Sequence, residues 1–140
     1  MLQLCEQAEA ILEKLKAIQG LAQVEYLDSA DDMDDRPSRM PAAALVLGQA
    51  VPGGPENLTT TVKVTWVVFV KGKNLTGPSG LLAMTDLVLG ALSGFQALVG
   101  TRPLAPAGVE LHDRNGEVAI YAIAFQSIQR AVIHWTNRTT

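Results

Sequence analysis

Apolar and polar side chains alternate from Thr59 to Lys71. Val62, Val64, Trp66, Val68 and Val70 fall on one face at period two, and Thr61, Lys63 and Thr65 fall on the other. From Trp66 onward Val67 and Phe69 make the second face apolar as well, which calls for cover on both sides. Valine, threonine, tryptophan and phenylalanine suit a pleated surface, and a strand of this length spans about 40 Å, roughly twice the usual length.

The other elements arrange themselves around this strand. Leu4, Ala8, Ile11, Leu12, Leu15 and Ile18 recur at helical spacing with Glu6, Glu9, Glu13, Lys14 and Lys16 opposite them. This pattern predicts an amphipathic helix of about five turns that stops at Gly20. Gln23–Leu27 reads as a short strand, and residues 28–40 as a polar loop. Pro41–Val51 is apolar on both faces, as a central strand would be, and Pro52-Gly53-Gly54-Pro55 reads as a breaker at the tip of a long hairpin. Ser79 suits an N-cap for a helix running to Phe95. In that helix Leu81, Met84, Thr85, Val88, Ala91, Leu92 and Phe95 share a face, and Asp86 is its one charge. An apolar helix with an interior glycine, Gly90, suits close packing on the sheet or against another subunit. Pro103–Pro106 is a rigid connector. Asn115-Gly116 then predicts a two-residue type I′ hairpin joining Val109–Asp113 to Glu117–Phe125. That turn pairs Arg114 with Glu117, Asp113 with Val118, His112 with Ala119 and Leu111 with Ile120. It places Val109, Leu111, Val118, Ile120 and Ala122 on one face, with Tyr121, Ile123 and Phe125 on the other. The fold class expected is α+β: a mixed, mainly antiparallel sheet of four to five strands, with a long β-hairpin and two helices packed on it.

Composition narrows the function more by exclusion than by indication. The 140 residues are 48% hydrophobic, enough for one domain with a real core. A net charge of −3 and the lack of any Lys/Arg-rich run argue against a nucleic-acid binder. The N-terminus has no basic segment ahead of an apolar one, so no signal peptide is expected, and the single Cys5 suits a reducing compartment. Asp86, Thr85, Ser93, Gln96 and two glycines interrupt the apolar stretch too often for a membrane span. Five carboxylates between Asp28 and Asp35 invite a calcium loop. Counted from Asp28, however, the positions that need glycine and a bidentate glutamate hold Met33 and Arg39. A solvated acidic loop is the plainer expectation, with docking of a basic partner as the functional one. Cys5, His112 and His134 are too isolated to ligate a metal, and neither a phosphate-binding loop nor a nucleophile elbow occurs. Adjacent strand residues point to opposite faces, so His112 and Asp113 do not form a catalytic pair. No enzyme activity and no cofactor are expected.

The order of helix, short strand, acidic loop, long hairpin, apolar helix, Pro-Leu connector and final hairpin resembles the tail terminator proteins of tailed bacteriophages, in particular the small family of Mu-like phages. The stretches that carry the resemblance are Thr61–Val70, the helix closing on Leu92-Ser93-Gly94-Phe95, and Pro103-Leu104 leading into Val109–Leu111 and the Asn115-Gly116 turn. It covers residues 1–128 as a single domain and leaves 129–140 as a C-terminal arm or tail. It implies a structural subunit that assembles with itself, usually as a hexameric ring. The ring caps the tail tube, stops its polymerisation and meets the head-side connector. The location implied is the head-proximal end of the virion tail, after assembly in the host cytoplasm. The partners implied are further copies of the chain, the tail tube protein and a connector or neck protein. No membrane and no sequence-specific nucleic acid are among them. On this reading the contact surface to neighbouring subunits or the tube comprises Asp31, Asp32, Asp34, Asp35, Glu56, Asn57, Thr61, Lys63, Thr65, Lys71 and Lys73. Two other classes remain open. One is another head–tail joining, neck or baseplate protein; the other is a small cytoplasmic ligand-binding domain or enzyme.

Overall fold

The longest alternating stretch becomes the middle of a five-stranded sheet. The structure is a computed structural model that describes residues 3–27, 40–56, 59–73, 76, 80–99 and 101–132. Its elements in chain order are α1 (Leu4–Lys16), β1 (Gln23–Tyr26), β2 (Ala42–Glu56), β3 (Thr59–Gly72), α2 (Leu81–Leu92), β4 (Ala105–Asn115) and β5 (Val118–Val132). The strand order is β1-β2-β3-β5-β4. Only β1 and β2 run parallel, while β2–β3, β3–β5 and β4–β5 are antiparallel. This is the expected α+β class.

Both helices lie on one face. Ile11 and Leu15 of α1, with Leu81, Met84, Val88 and Leu92 of α2, pack against Val62, Val64, Trp66, Val68 and Val70 of β3 and against Ile123 and Phe125 of β5. The period-two apolar face of β3 is therefore the floor of the main core. One buried polar contact ties α1 to this floor. Gln7 Nε2 donates to Gln129 Oε1 (2.7 Å), and Gln129 Nε2 donates to Gln7 Oε1 (2.9 Å). The opposite face carries a smaller buried cluster of Leu27, Ala44, Val46, Phe69 and Ile120. There the His112 ring meets the Phe69 ring edge-on, with centroids 4.8 Å apart. The second apolar face of β3 is real, but the two helices cover only the first.

Several boundaries differ from expectation, each for a local reason. Helix α1 ends at Lys16, so it is shorter than five turns. Helix α2 starts at Leu81 with Gly80 at the N-cap and stops before Ser93, whose backbone is extended; Ser79 lies outside the described residues. The Pro-Gly-Gly-Pro stretch does not break β2. Pro52 pairs with Val62 and Glu56 with Thr59, and an irregularity between Pro52 and Pro55 absorbs the stretch. Because β1 pairs only with Ala42–Leu45, this half of β2 has no outer neighbour strand among the described residues, and a proline there costs no ladder bond to one. A second irregularity falls at Gly48, where a Cβ would lie 3.1 Å from Val67 Cγ2 and 3.2 Å from the Thr65 carbonyl oxygen.

The final hairpin is shifted by one residue. Asn115 pairs with Val118 and Arg114 with Ala119, so the turn residues are Gly116 and Glu117. Gly116 has φ +64° and Glu117 no positive φ, which matches glycine at the first central position of a type II′ turn. A bulge between Leu111 and Asp113 then sets Leu111 opposite Tyr121 and Val109 opposite Ile123. Val109 and Leu111 therefore share the face of Tyr121 and Ile123, not that of Ile120 and Ala122 as expected. Gly116→Ala puts a Cβ in the left-handed region with nothing around it to clash. It is expected to cost about 1–2 kcal/mol, read as a lowered urea midpoint at unchanged slope.

Candidate interaction surface

Beyond the level of Trp66 the sheet narrows to a three-stranded ribbon. It consists of β2 from Leu47 onward, β3 from Thr59 to Trp66, and β5 from Phe125 to Val132. β1 does not reach this far, and β4 pairs no further along β5 than Gln126, so both outer edges of the ribbon lack a neighbour strand among the described residues. On the ribbon's helix side Val62, Val64, Ser127 and Gln129 are buried. Ser127 Oγ donates to the Arg102 carbonyl oxygen (2.8 Å), and Gln129 holds Gln7, so this side is closed by polar as well as apolar packing.

The other side of the ribbon is open. Thr61 and Lys63 are exposed on it and Thr65 is half-buried. In register beside them lie Val51 and Gln49 on β2, and Arg130, Ile128 and Gln126 on β5. Val51 and Ile128 flank Lys63 and are about half exposed (47% and 52%), so the surface mixes cationic heads with aliphatic area. Sheet surfaces of this composition suit protein contacts better than small-molecule chemistry, because nothing converges on a reacting atom.

The residues expected at the interface divide into three groups. Thr61, Lys63 and Thr65 come together on the open face of β3. Lys71 shares that face but sits six positions beyond Thr65, about 20 Å away, and is 8% exposed; Lys73 beyond it is exposed. Lys71 is thus part of the packed end of the sheet, not an open surface group. Glu56 pairs with Thr59 at the end of the ribbon. Asp31, Asp32, Asp34, Asp35 and Asn57 lie outside the described residues. Sequence reasoning missed Val51, Ile128 and Arg130, although the alternation Ile128-Gln129-Arg130 carries the signal once β5 is read to its full length.

The helix side offers two further features. Leu82 and Leu87 of α2 are exposed (47% and 46%), and a broad groove runs past Leu87, Gly90 and Ala91 to Ile18 and Gly20. An added Cβ at Gly90 would meet nothing within 4 Å, so this glycine serves no close packing inside the chain. Between α1 and the sheet edge lies an apolar cleft of about 280 Å³, lined by Leu4, Cys5, Ala8, Glu9, Leu12, Tyr26, Leu47 and Trp66. The Trp66 indole Nε1 is buried and has no hydrogen-bond acceptor among the described residues. Among the described residues no group of three or more His, Cys, Asp or Glu is placed to hold a metal, and no helix is long and apolar enough to cross a membrane.

No protein-family model matches this chain, and no curated protein does. Among solved structures it is similar to a chain of the virion of a native gene transfer agent (GTA) particle. The TM-score is 0.61 at 16% sequence identity, covering 89% of this chain and 94% of that one. At so low an identity the likeness is one of fold, and it extends over nearly the whole of both chains.

Proposed function

We propose that this chain is a structural subunit of a phage-like virion and, within it, a tail terminator. Copies assemble as a closed ring, taken as hexameric, on the finished tail tube at its head-proximal end. The mechanism is steric: the ring occupies the growing end, offers no equivalent surface to another tube subunit and presents its far side to the head-side connector. The observation that carries this reading is the fold shared with a virion chain over nearly the full length of both. The surface chemistry agrees with it. An open ribbon face of Thr61, Lys63 and Thr65 with exposed Val51 and Ile128 is suited to heterologous contacts, which close into rings.

Light scattering on the purified chain, with and without the tube protein of the same particle, tests this. The expected result is a ring, or a monomer recruited to tube ends, with mean tube length falling as the chain is added. A persistent monomer that leaves tube length unchanged overturns the reading. Attachment to the connector without effect on tube length assigns the chain to the head–tail joint instead. Lys63→Glu, at an exposed position, is expected to slow recruitment about tenfold at low salt and to leave the thermal midpoint nearly unmoved.

A further inference from the structure

We infer that the outer face of α2 in one copy of this chain docks onto the open ribbon face of a second copy, with Asp86 set against Lys63. The inference rests on the reading of the chain as a self-assembling subunit, and it names the contact that joins one copy to the next.

The two surfaces carry one pattern with opposite charge. On the ribbon, Lys63 stands between Val51 and Ile128 in a single row across the three strands, and both neighbours are half exposed. Two strand spacings separate Val51 from Ile128, about 9.5 Å. On α2, Leu82 and Leu87 are exposed to the same degree. At about 3.6 residues per turn, Asp86 and Gly90 fall between them on the helix surface, and the two leucine α-carbons lie about 9 Å apart. An aliphatic pair with a cation between its members thus meets an aliphatic pair with an anion between its members, at matching spacing.

The surroundings favour this pairing over others. Lys63 and Arg130 are the charged side chains on the open ribbon face, and no carboxylate accompanies them among the described residues. Asp86 is the one charge of α2. Neither Lys63 nor Asp86 has an ion-pair partner among the described residues. Helix α1 is the poorer match: its carboxylates share a polar face with Lys14 and Lys16, and Glu13 already holds Lys16 at 3.6 Å. Water suits that face, whereas Leu82 and Leu87 gain from cover.

Gly90 supports the contact independently of charge. Glycine inside a helix is costly relative to alanine, yet Gly90 is exposed and a Cβ there would meet nothing within 4 Å. A helix laid on a sheet comes closest along the middle of its contact arc, and Gly90 lies in that middle beside Asp86. A single copy cannot make this contact. Its α2 packs on one side of the sheet, and Val51, Lys63 and Ile128 lie on the other. Each copy therefore gives a helix and receives one, a head-to-tail contact that closes into a ring when the rotation permits.

Sedimentation velocity of the full-length chain at low salt tests this. Asp86→Lys and Lys63→Glu are each expected to weaken self-association at least about tenfold. With both changes in one chain opposite charges face each other again, and association recovers to within about threefold of the native chain. Both positions are exposed, so the thermal midpoints stay in place and the losses are not losses of fold. Gly90→Leu changes no charge and has open space within the chain, yet it too is expected to weaken association about tenfold. If the native chain associates only on tube ends, the same changes are read from the copies bound there. Single variants that associate like the native chain, or a double variant no better than the weaker single one, overturn the contact. Variants that lose tube binding but keep self-association put the tube protein on these surfaces and overturn the second copy as occupant. A ring that stops tube growth and ignores all these changes loses the contact and keeps the proposed function. A chain that shows the charge rescue but never affects tube growth keeps the contact and loses the function.

Discussion

Phe125→Ala is expected to lower the free energy of unfolding by about 3–5 kcal/mol. Phe125 is completely buried on β5, pairs across the ladder with Trp66 of β3, and lies in the core that both helices cover. Truncation removes an aromatic ring at the point where sheet and helices meet. The neighbours are fixed by an uninterrupted β3–β5 register, so they have little freedom to collapse into the space. Since small domains are stable by only about 5–15 kcal/mol, the variant should sit near the edge of folding at 37 °C. Urea unfolding followed by far-ultraviolet circular dichroism checks this. A loss below about 1.5 kcal/mol would show that the core does not centre on the Trp66–Phe125 pair.

The second large effect concerns the polar contact inside the core. Gln7→Leu is expected to destabilise the fold by about 1–3 kcal/mol. It leaves the Gln129 Oε1 acceptor without its donor from α1 in a position that is 5% exposed. Gln129 Nε2 retains only the longer contact to Ser127 Oγ (3.3 Å). Gln7→Leu combined with Gln129→Leu removes both partners together and should recover most of the loss, because an apolar pair of similar shape leaves no orphan. A double variant as unstable as the two single losses added would mean that each glutamine acts independently.

The features legible in the sequence were those set by long-range periodicity. The face Val62-Val64-Trp66-Val68-Val70 could be read directly, because alternation at period two over nine residues leaves no other element to fit it. The apolar stripe of α1 was equally plain. What failed was register and local exception. Asn115-Gly116 is the stronger dipeptide signal for a turn, but the glycine alone supplies the positive φ, and the ladder closes one residue later. The Pro52–Pro55 stretch carries a breaker signal, and the edge that tolerates it follows from β1 being only four residues long, a matter of pairing that no local pattern encodes. At the candidate surface, Thr61, Lys63 and Thr65 followed from alternation. Their neighbours Val51, Ile128 and Arg130 are brought beside them by strand pairing across the sheet, which no local pattern encodes. The apolar cleft was illegible for a similar reason: its walls come from α1, β1, β2 and β3.

The pairing of β3 with β5 also governs how the chain comes into being. β3 meets β2 through a local hairpin, but its other edge waits for a strand about sixty residues further along. During synthesis at roughly 5–20 residues per second, the valine face of β3 has no second neighbour for several seconds after it emerges. Loop closure over such a distance is slow compared with hairpin formation, so completion of the sheet is the late event. The last strand made is the one that seals the middle of the sheet and brings Gln129 to α1. A copy interrupted before β5 therefore lacks the core as well as the ribbon, and only a finished chain has a surface to offer another.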